Sequence, residues 1–204
     1  MTIYALSSGS GISGVAIIRI SGLEASNVIK SLTSREIPKP RMATLRKINN
    51  INTSELIDEG IIIWFPGPES YTGEDMAEIH IHGGKAGILA VQNEISKIKN
   101  CRLAEPGEFT KLAFQNGKIN LLKAESIGDL ISAETEIQRS QAIKIMKGKS
   151  SLKFNELREK LLKILSFIEA KIDFPEEDLP EDNLKKLKQD SVDVINEINK
   201  ILND

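Results

Sequence analysis

The sequence predicts an α+β domain followed by an incomplete α-helical bundle, and two observations carry this prediction. Twelve of the 14 glycines lie at or before Gly117, so turns are frequent early in the chain and rare afterwards. The spacing of apolar residues changes at about the same point, from the alternation typical of strands to the three- and four-residue steps typical of helices. We therefore expect one domain over residues 1–118 and a second over residues 119–204.

Short runs rich in β-branched residues predict five strands in the first domain. Turn-forming residues separate these runs. Two intervening segments have the apolar spacing of amphipathic helices packed on a sheet. The strands are TIYALSS, GVAIIRIS, MATLRKIN, EGIIIWF and AEIHIHG, and the helices are LEASNVIKSL and GILAVQNEISKI.

Three longer apolar stripes predict helices in the second domain, where they would form a bundle core. The segment DFPEEDLPED separates the last two helices, because Pro175 and Pro180 cannot continue a helix. The last stripe runs almost to the end of the 204 residues, so we expect the bundle to be incomplete. The helices are predicted over residues 127–145, 154–168 and from about 183 to the end.

Composition limits the function classes. A net charge of −2 argues against sequence-independent nucleic-acid binding, which needs clustered Lys and Arg. The single cysteine, Cys101, excludes an intrachain disulfide and a cysteine-only zinc site, and we expect it to be a structural strand residue. No apolar run approaches the roughly 18 residues of a membrane span. We expect a soluble, cytoplasmic protein with no membrane partner.

The glycines Gly9, Gly11 and Gly14 spell the GxGxxG pattern of dinucleotide-binding proteins. That motif requires a helix directly after it, so that the helix N-terminus faces the pyrophosphate. The following residues, VAIIRI, predict a strand instead. We interpret the glycines as a turn between two strands.

The triplet GKS at residues 148–150 matches the end of a phosphate-binding loop. The complete motif needs a glycine at position 143, which is Ile143, and a strand before it. The triplet instead lies between two helical stripes. We interpret it as a helix junction and expect this chain to hydrolyse no GTP.

A third pattern places Glu78, His80 and His82 on one face of a strand, which suggests a metal site with two histidines and one carboxylate. The outer two positions lie roughly 13 Å apart along a strand, too far to share one ion without distortion. A ligand-facing strand or half-buried histidines are favoured over a metal site.

Four stretches, considered together, carry specific information about a family. They are GVAIIRISG, WFPGPESYTGEDMAEIHIHGG, AEPGEFTKLAFQNGKINLLKAESIGDLI and DFPEED, in this order along nearly the whole chain. They resemble the MnmE/TrmE family of tRNA-modifying GTPases. The resemblance implies a tetrahydrofolate-binding first domain that is similar to aminomethyltransferases and that forms a homodimer. It also implies a helical domain interrupted by a GTPase domain, which with the C-terminal tail is absent from these 204 residues.

The resemblance implies an activity and a ligand as well. With a flavin-dependent MnmG (GidA) partner, the family adds an aminomethyl or carboxymethylaminomethyl group to C5 of the wobble uridine of tRNA. The one-carbon unit is taken from a reduced folate, such as 5-formyltetrahydrofolate, while GTP, Mg²⁺ and K⁺ belong to the GTPase domain. Carried over by motif, the folate contacts are Arg19, Glu78 and Lys118.

Alternatives remain for both the residues and the function. Each of the three residues could be a solvated charge or a member of a structural ion pair. The chain could also be a stand-alone folate-dependent protein of the aminomethyltransferase kind, or a helical scaffold whose first domain has lost its ligand. Folate binding distinguishes the last of these from the others.

Overall fold

A computed structural model describes residues 1–9, 11–173 and 181–203. The chain divides into two compact units, Met1–Ala124 and Glu125–Asp204. In chain order, the elements of the described residues are β1 (Thr2–Leu6), β2 (Ser13–Ser21), α1 (Ala25–Thr33), β3 (Thr44–Asn49), β4 (Leu56–Phe65), β5 (Met76–Gly83), α2 (Lys85–Ser96), β6 (Cys101–Leu103), α3 (Glu108–Gln115), α4 (Leu121–Ser132), α5 (Glu136–Met146), α6 (Lys149–Asp173) and α7 (Glu181–Leu202).

The first unit contains a mixed sheet with the strand order β3-β4-β5-β2-β1-β6. All neighbouring strands are antiparallel except β1 and β6, which are parallel. The five predicted strands and the two predicted helices of this part are confirmed, and so is the α+β class. The sequence did not indicate β6, because three residues are too short to show alternation. Cys101 begins β6, as expected of a strand residue, and burial raises the pKa of its thiol.

Strand alternation separates the two faces of this sheet. One face is largely apolar and packs against α1 and α2, whose amphipathic stripes meet it. The opposite face carries the polar residues of β2 and β5. The core between the sheet and the helices includes Ile18, Ile20, Ile48, Ile62, Ala77, Ile79 and Ile81 from the strands, and Val28, Ile29, Leu32, Val91 and Ile95 from the helices.

A buried carboxylate ties α2 to the loop after β3. Glu94 is only 4% exposed. Its carboxylate accepts hydrogen bonds from Asn50 Nδ2 at 2.9 Å and from the Ile51 backbone N–H at 3.0 Å, and it forms an ion pair with Lys97. The hydrogen bond from Lys97, together with the one from Ile51, holds the pKa of Glu94 below its ordinary value.

We expect Glu94→Ala to lower the free energy of unfolding by about 1–3 kcal/mol at neutral pH, since buried donors lose their acceptor. Because the pKa of Glu94 is lower in the folded state than its unfolded-state value of about 4.3, its carboxylate stabilises the fold fully at pH values above this unfolded-state pKa. This stabilisation is lost as the pH falls through the folded-state pKa. The difference between wild type and variant should therefore shrink below about pH 4.3. Urea unfolding followed by the fluorescence of Trp64, the single tryptophan, measures it. Glu55→Ala, at an exposed position, is the control. If the difference in unfolding free energy between wild type and Glu94→Ala did not depend on pH, the proposed role of the Glu94 carboxylate would be contradicted.

The helical unit differs from the prediction in one place. The single helix expected over residues 127–145 is wrong, because the structure has α4 and α5 with a break between them. Thr135 caps α5: its side chain accepts from the backbone N–H of Gln138, and the Gln138 side chain accepts from the Thr135 N–H. This capping box starts a new helix where apolar periodicity alone showed none.

The other two predicted helices correspond to α6 and α7, which pack against each other. Their contact buries Leu157 and Val194, whereas Leu161 and Leu165 of the same predicted stripe remain 49% exposed. Because α7 can cover only the side of α6 that faces it, the apolar stripe of α6 is buried only in part. The proline-rich break falls mostly on residues 174–180, outside the described residues. Among the described helices, none is both long enough and apolar enough to cross a membrane.

The GKS triplet is no phosphate loop in this fold. Gly148, the first residue of the triplet, has a φ of 85°, and α6 begins directly afterwards at Lys149. The preceding element is α5, not a strand. The earlier glycine pattern likewise connects the antiparallel strands β1 and β2, which agrees with its interpretation as a turn.

Candidate functional site

The pairing of β2 with β5 places Arg19 directly opposite Glu78 on the polar face of the sheet. Arg19 Nε and Nη2 donate to the same oxygen, Glu78 Oε1, at 3.0 and 2.7 Å. The side chains are 30% and 16% exposed, so the pair is half-buried and accessible from one side. Glu78 Oε2 lies outside this ion pair and has a longer contact, 3.3 Å, to His80 Nε2.

Two aromatic rings flank the Arg19 guanidinium. Its Cζ atom lies 5.7 Å from the centroid of the Tyr71 ring and 5.8 Å from that of Phe109. These distances permit cation–π attraction to both rings. The Tyr71 hydroxyl is hydrogen-bonded to Thr110 Oγ1 at 2.9 Å, which joins the β4–β5 loop to α3 and fixes the ring. The charged pair therefore has flat, apolar walls.

Lys118 reaches the same region from the end of α3. Gly117 has a φ of 68°, the left-handed conformation that commonly ends a helix, and the Lys118 N–H donates to the Ala113 carbonyl at 2.8 Å. This turn directs the Lys118 side chain back to the β4–β5 loop, where Nζ donates to the Pro68 carbonyl at 2.8 Å. The lysine thus lies against the loop that also supplies Tyr71.

Further hydrogen bonds hold the β4–β5 loop, residues 66–75, over the edge of the polar face. Ser21 Oγ is hydrogen-bonded to Thr72 Oγ1 at 2.7 Å and donates a hydrogen bond to Glu74 Oε2 at 2.8 Å. Asn116 Nδ2 donates to the Thr72 carbonyl at 2.7 Å. The loop is therefore fastened to both β2 and the end of α3, which gives the site a fixed wall.

The two histidines of β5 have different partners. His80 Nε2 lies 3.3 Å from Glu78 Oε2, a long contact, whereas His82 Nδ1 lies 2.8 Å from Asp58 Oδ1. Burial alone would raise the pKa of Asp58, but the hydrogen bonds from His82 hold it below its ordinary value. Within the described residues, no group of three potential metal ligands comes together.

The structure brings two of the three predicted site residues into contact, namely Arg19 and Glu78, and places Lys118 on the neighbouring loop. Sequence reasoning missed Tyr71 and Phe109. A usable signal existed, since aromatic residues are only 4% of the chain and both lie within the two longest family-like stretches. Their convergence on one guanidinium needed the tertiary structure.

Comparison with models of known protein families identifies the family of this chain. The family model described as "GTP-binding protein TrmE N-terminus" matches residues 2–118, and the model "MnmE helical domain" matches residues 121–204. The chain belongs to the MnmE/TrmE family. The resemblance inferred from the four sequence stretches is thereby confirmed, and the match to both models supports it over a stand-alone aminomethyltransferase-like protein.

Curated relatives agree with this membership. The chain is 76% identical over all 204 residues to the tRNA modification GTPase MnmE of Pelagibacter ubique, and it covers 46% of that protein. It is 46% identical over 203 residues to the protein of the same name from Rickettsia prowazekii, again covering 46%. It is also 44% identical over 189 residues to the protein of the same name from Parvibaculum lavamentivorans, of which it covers 43%. The chain thus spans less than half the length of these relatives.

Proposed function

We propose that this chain is the folate-binding, dimerising part of an MnmE-type protein that modifies C5 of the wobble uridine of tRNA. The observation that carries the proposal is the half-buried Arg19–Glu78 pair between two aromatic rings, in a chain that belongs to this family. The proposal includes a flavin-dependent MnmG-type partner and tRNA bound by the complex. GTP, Mg²⁺ and K⁺ are assigned to a GTPase domain outside residues 1–204, and the cytoplasm is the proposed location.

The side chains present fit a reduced folate. A pterin has adjacent N–H donors on its aminopyrimidine edge, and a carboxylate accepts such donors in pairs. Glu78 Oε1 already accepts two hydrogen bonds from Arg19, so Oε2 would take one pterin donor, and Oε1 would take the other in exchange for one of its Arg19 bonds. The rings of Tyr71 and Phe109 supply flat apolar surface for a flat ligand. Lys118 would meet a carboxylate of the glutamate tail once its Pro68 contact is exchanged.

In this proposal the bound folate supplies the one-carbon unit, and the residues of the chain bind and orient it. Arg19 holds the Glu78 carboxylate in one orientation through its two hydrogen bonds to Oε1. The β4–β5 loop, fastened through Thr72, excludes water from one side of the site. The proposal also includes a fold for the first domain that is similar to that of aminomethyltransferases.

Direct titration tests the ligand. Titration calorimetry with 5-formyltetrahydrofolate should give saturable binding to the 204-residue chain, and p-aminobenzoyl-glutamate, which lacks the pterin, should bind far more weakly. Equal binding of both compounds would place the recognition on the tail and away from Glu78. Absence of binding to a folded chain would contradict the proposed ligand.

Self-association is the second part of the proposal. Three apolar side chains of the polar sheet face are exposed: Val15 by 55%, Leu45 by 63% and Ile61 by 39%. Ile61 lies opposite both Leu45 and His80 in the sheet, so this apolar surface adjoins the Glu78 region. Two-fold association would cover it, and closed two-fold dimers are the commonest oligomers.

We therefore expect a dimer of the 22.5 kDa chain in sedimentation velocity at tens of micromolar, and Ile61→Glu should shift it to monomer because the charge would be desolvated. Leu23, 85% exposed in the turn that follows β2, provides the matched control, since Leu23→Glu should leave the dimer intact. A monomeric wild type would contradict dimerisation. Equal effects of both substitutions would place the interface elsewhere.

A further inference from the structure

A separate basic pocket lies on the other face of the sheet, where the end of α1 approaches the edge strand β3. It is an open cavity of about 540 Å³, lined by Lys30, Ser34, Arg35, Glu36, Ile37 and Arg46. Arg46 faces this side because it lies two positions before Ile48 in β3, and Ile48 is buried in the core beneath the helices. The pocket shares no residue with the Arg19–Glu78 site.

Arg46 has an unsatisfied donor in this pocket. Its Nε atom is buried and, within the described residues, has no hydrogen-bond partner. Nη1 makes only a long contact of 3.4 Å to the Leu45 carbonyl. The Nε edge of a guanidinium is one side of the fork that binds two oxygens of an oxyanion at once. A buried donor without an acceptor is costly, so a rotation of the Arg46 side chain that exposes this edge to a ligand oxygen in the pocket would be favourable.

The charges around the pocket also favour an anion. The one carboxylate among its lining residues, Glu36, forms an ion pair with Lys30 at 2.8 Å. Neither Arg35 nor Arg46 forms an ion pair with any residue that the structure describes. The C-terminal end of α1 opposes an anion with about half an elementary charge. Two unpaired guanidinium groups outweigh this, so the net local charge is positive.

We propose that this pocket binds a phosphate group, held by the guanidinium forks of Arg46 and Arg35. A phosphate offers several oxygens to the two arginine side chains that line the pocket, whereas a carboxylate offers only two. The phosphate could belong to an RNA backbone or be free in solution, and the chemistry of the pocket is the same for both. The site is independent of the folate proposal, because it lies across the sheet from Glu78.

Fluorescence anisotropy with a short labelled RNA hairpin tests the contact. Arg46→Ala and Arg35→Ala should each weaken binding about tenfold and reduce the slope of log K against log salt by about 0.7–0.9, the loss of one phosphate contact. Exposed Lys99→Ala, which removes one charge elsewhere in the same unit, should change neither value. Arg46→Lys keeps the charge and loses the fork, so it should also weaken binding.

Resonances of the Arg46 Nε–H group distinguish the two sources at constant ionic strength. A shift with the RNA hairpin alone identifies a backbone phosphate, and a shift with inorganic phosphate alone identifies a small free anion. No shift with either probe would overturn the proposal, as would Arg46→Lys binding like wild type. Binding of 5-formyltetrahydrofolate should be unchanged in Arg46→Ala, so failure of one proposal leaves the other standing.

Discussion

Replacing Glu78 by alanine should weaken 5-formyltetrahydrofolate binding about tenfold to a hundredfold, which corresponds to about 1–3 kcal/mol for ligand donors left unpaired in a desolvated site. Glu78 is only 16% exposed, so solvent cannot readily replace the lost acceptor. Removal of its charge also leaves Arg19 without its ion-pair partner. Both effects reduce the affinity for the pterin edge.

His80→Ala provides the matched comparison on the same face of β5. An imidazole cannot accept two adjacent donors, and its contact with Glu78 is long, at 3.3 Å, so its loss should matter less. Glu78→Gln keeps the size of the side chain but offers one acceptor and introduces a donor, so it should resemble Glu78→Ala.

Titration calorimetry on the three variants, with folding checked by circular dichroism, decides the issue. Equal losses for Glu78→Ala and His80→Ala would move the pocket along the strand. A divalent-metal requirement that is abolished by either change would instead revive the metal site, which the sequence disfavours on distance.

Gly60→Ala should destabilise the first unit by about 3 kcal/mol or more, at the upper end of the cost of overpacking. Gly60 lies within β4, and a Cβ atom there would come within 2.1 Å of the His80 carbonyl oxygen of β5. The obstacle is backbone, so no side-chain rotation can relieve it. The β4–β5 pairing must open, and this pairing supports the strand that carries Glu78.

Gly87→Ala is the control, because Gly87 lies within α2 and nothing stands within 4 Å of the added Cβ. Alanine is the better helix former, so this change should stabilise by about 0.5–1 kcal/mol. Urea unfolding followed by Trp64, which is buried in the same unit, should show opposite shifts of the midpoint. A Gly60→Ala midpoint equal to that of wild type would contradict the close approach of the two strands.

Much of the first unit was predictable because its signals are local. Alternation in AEIHIHG and GVAIIRIS depends on consecutive residues only, and it placed Glu78 and Arg19 on strands before any pairing was known. Family motifs then selected these charges from the many in the chain. The break at Thr135 was missed because apolar spacing alone predicted one continuous helix, although the Thr-x-x-Gln sequence of residues 135–138 is the signature of a capping box.

The sequence by itself determined the α+β class, the five main strands, the helical second part and the family, since periodicity and long motifs survive without knowledge of contacts. Only the tertiary structure decided that β2 and β5 are neighbours, which sets Arg19 opposite Glu78. It also decided that Tyr71 and Phe109, 38 positions apart, flank the same guanidinium. Such long-range contacts depend on strand order and loop paths. These arise from packing of the whole unit and cannot be inferred from any local stretch of sequence.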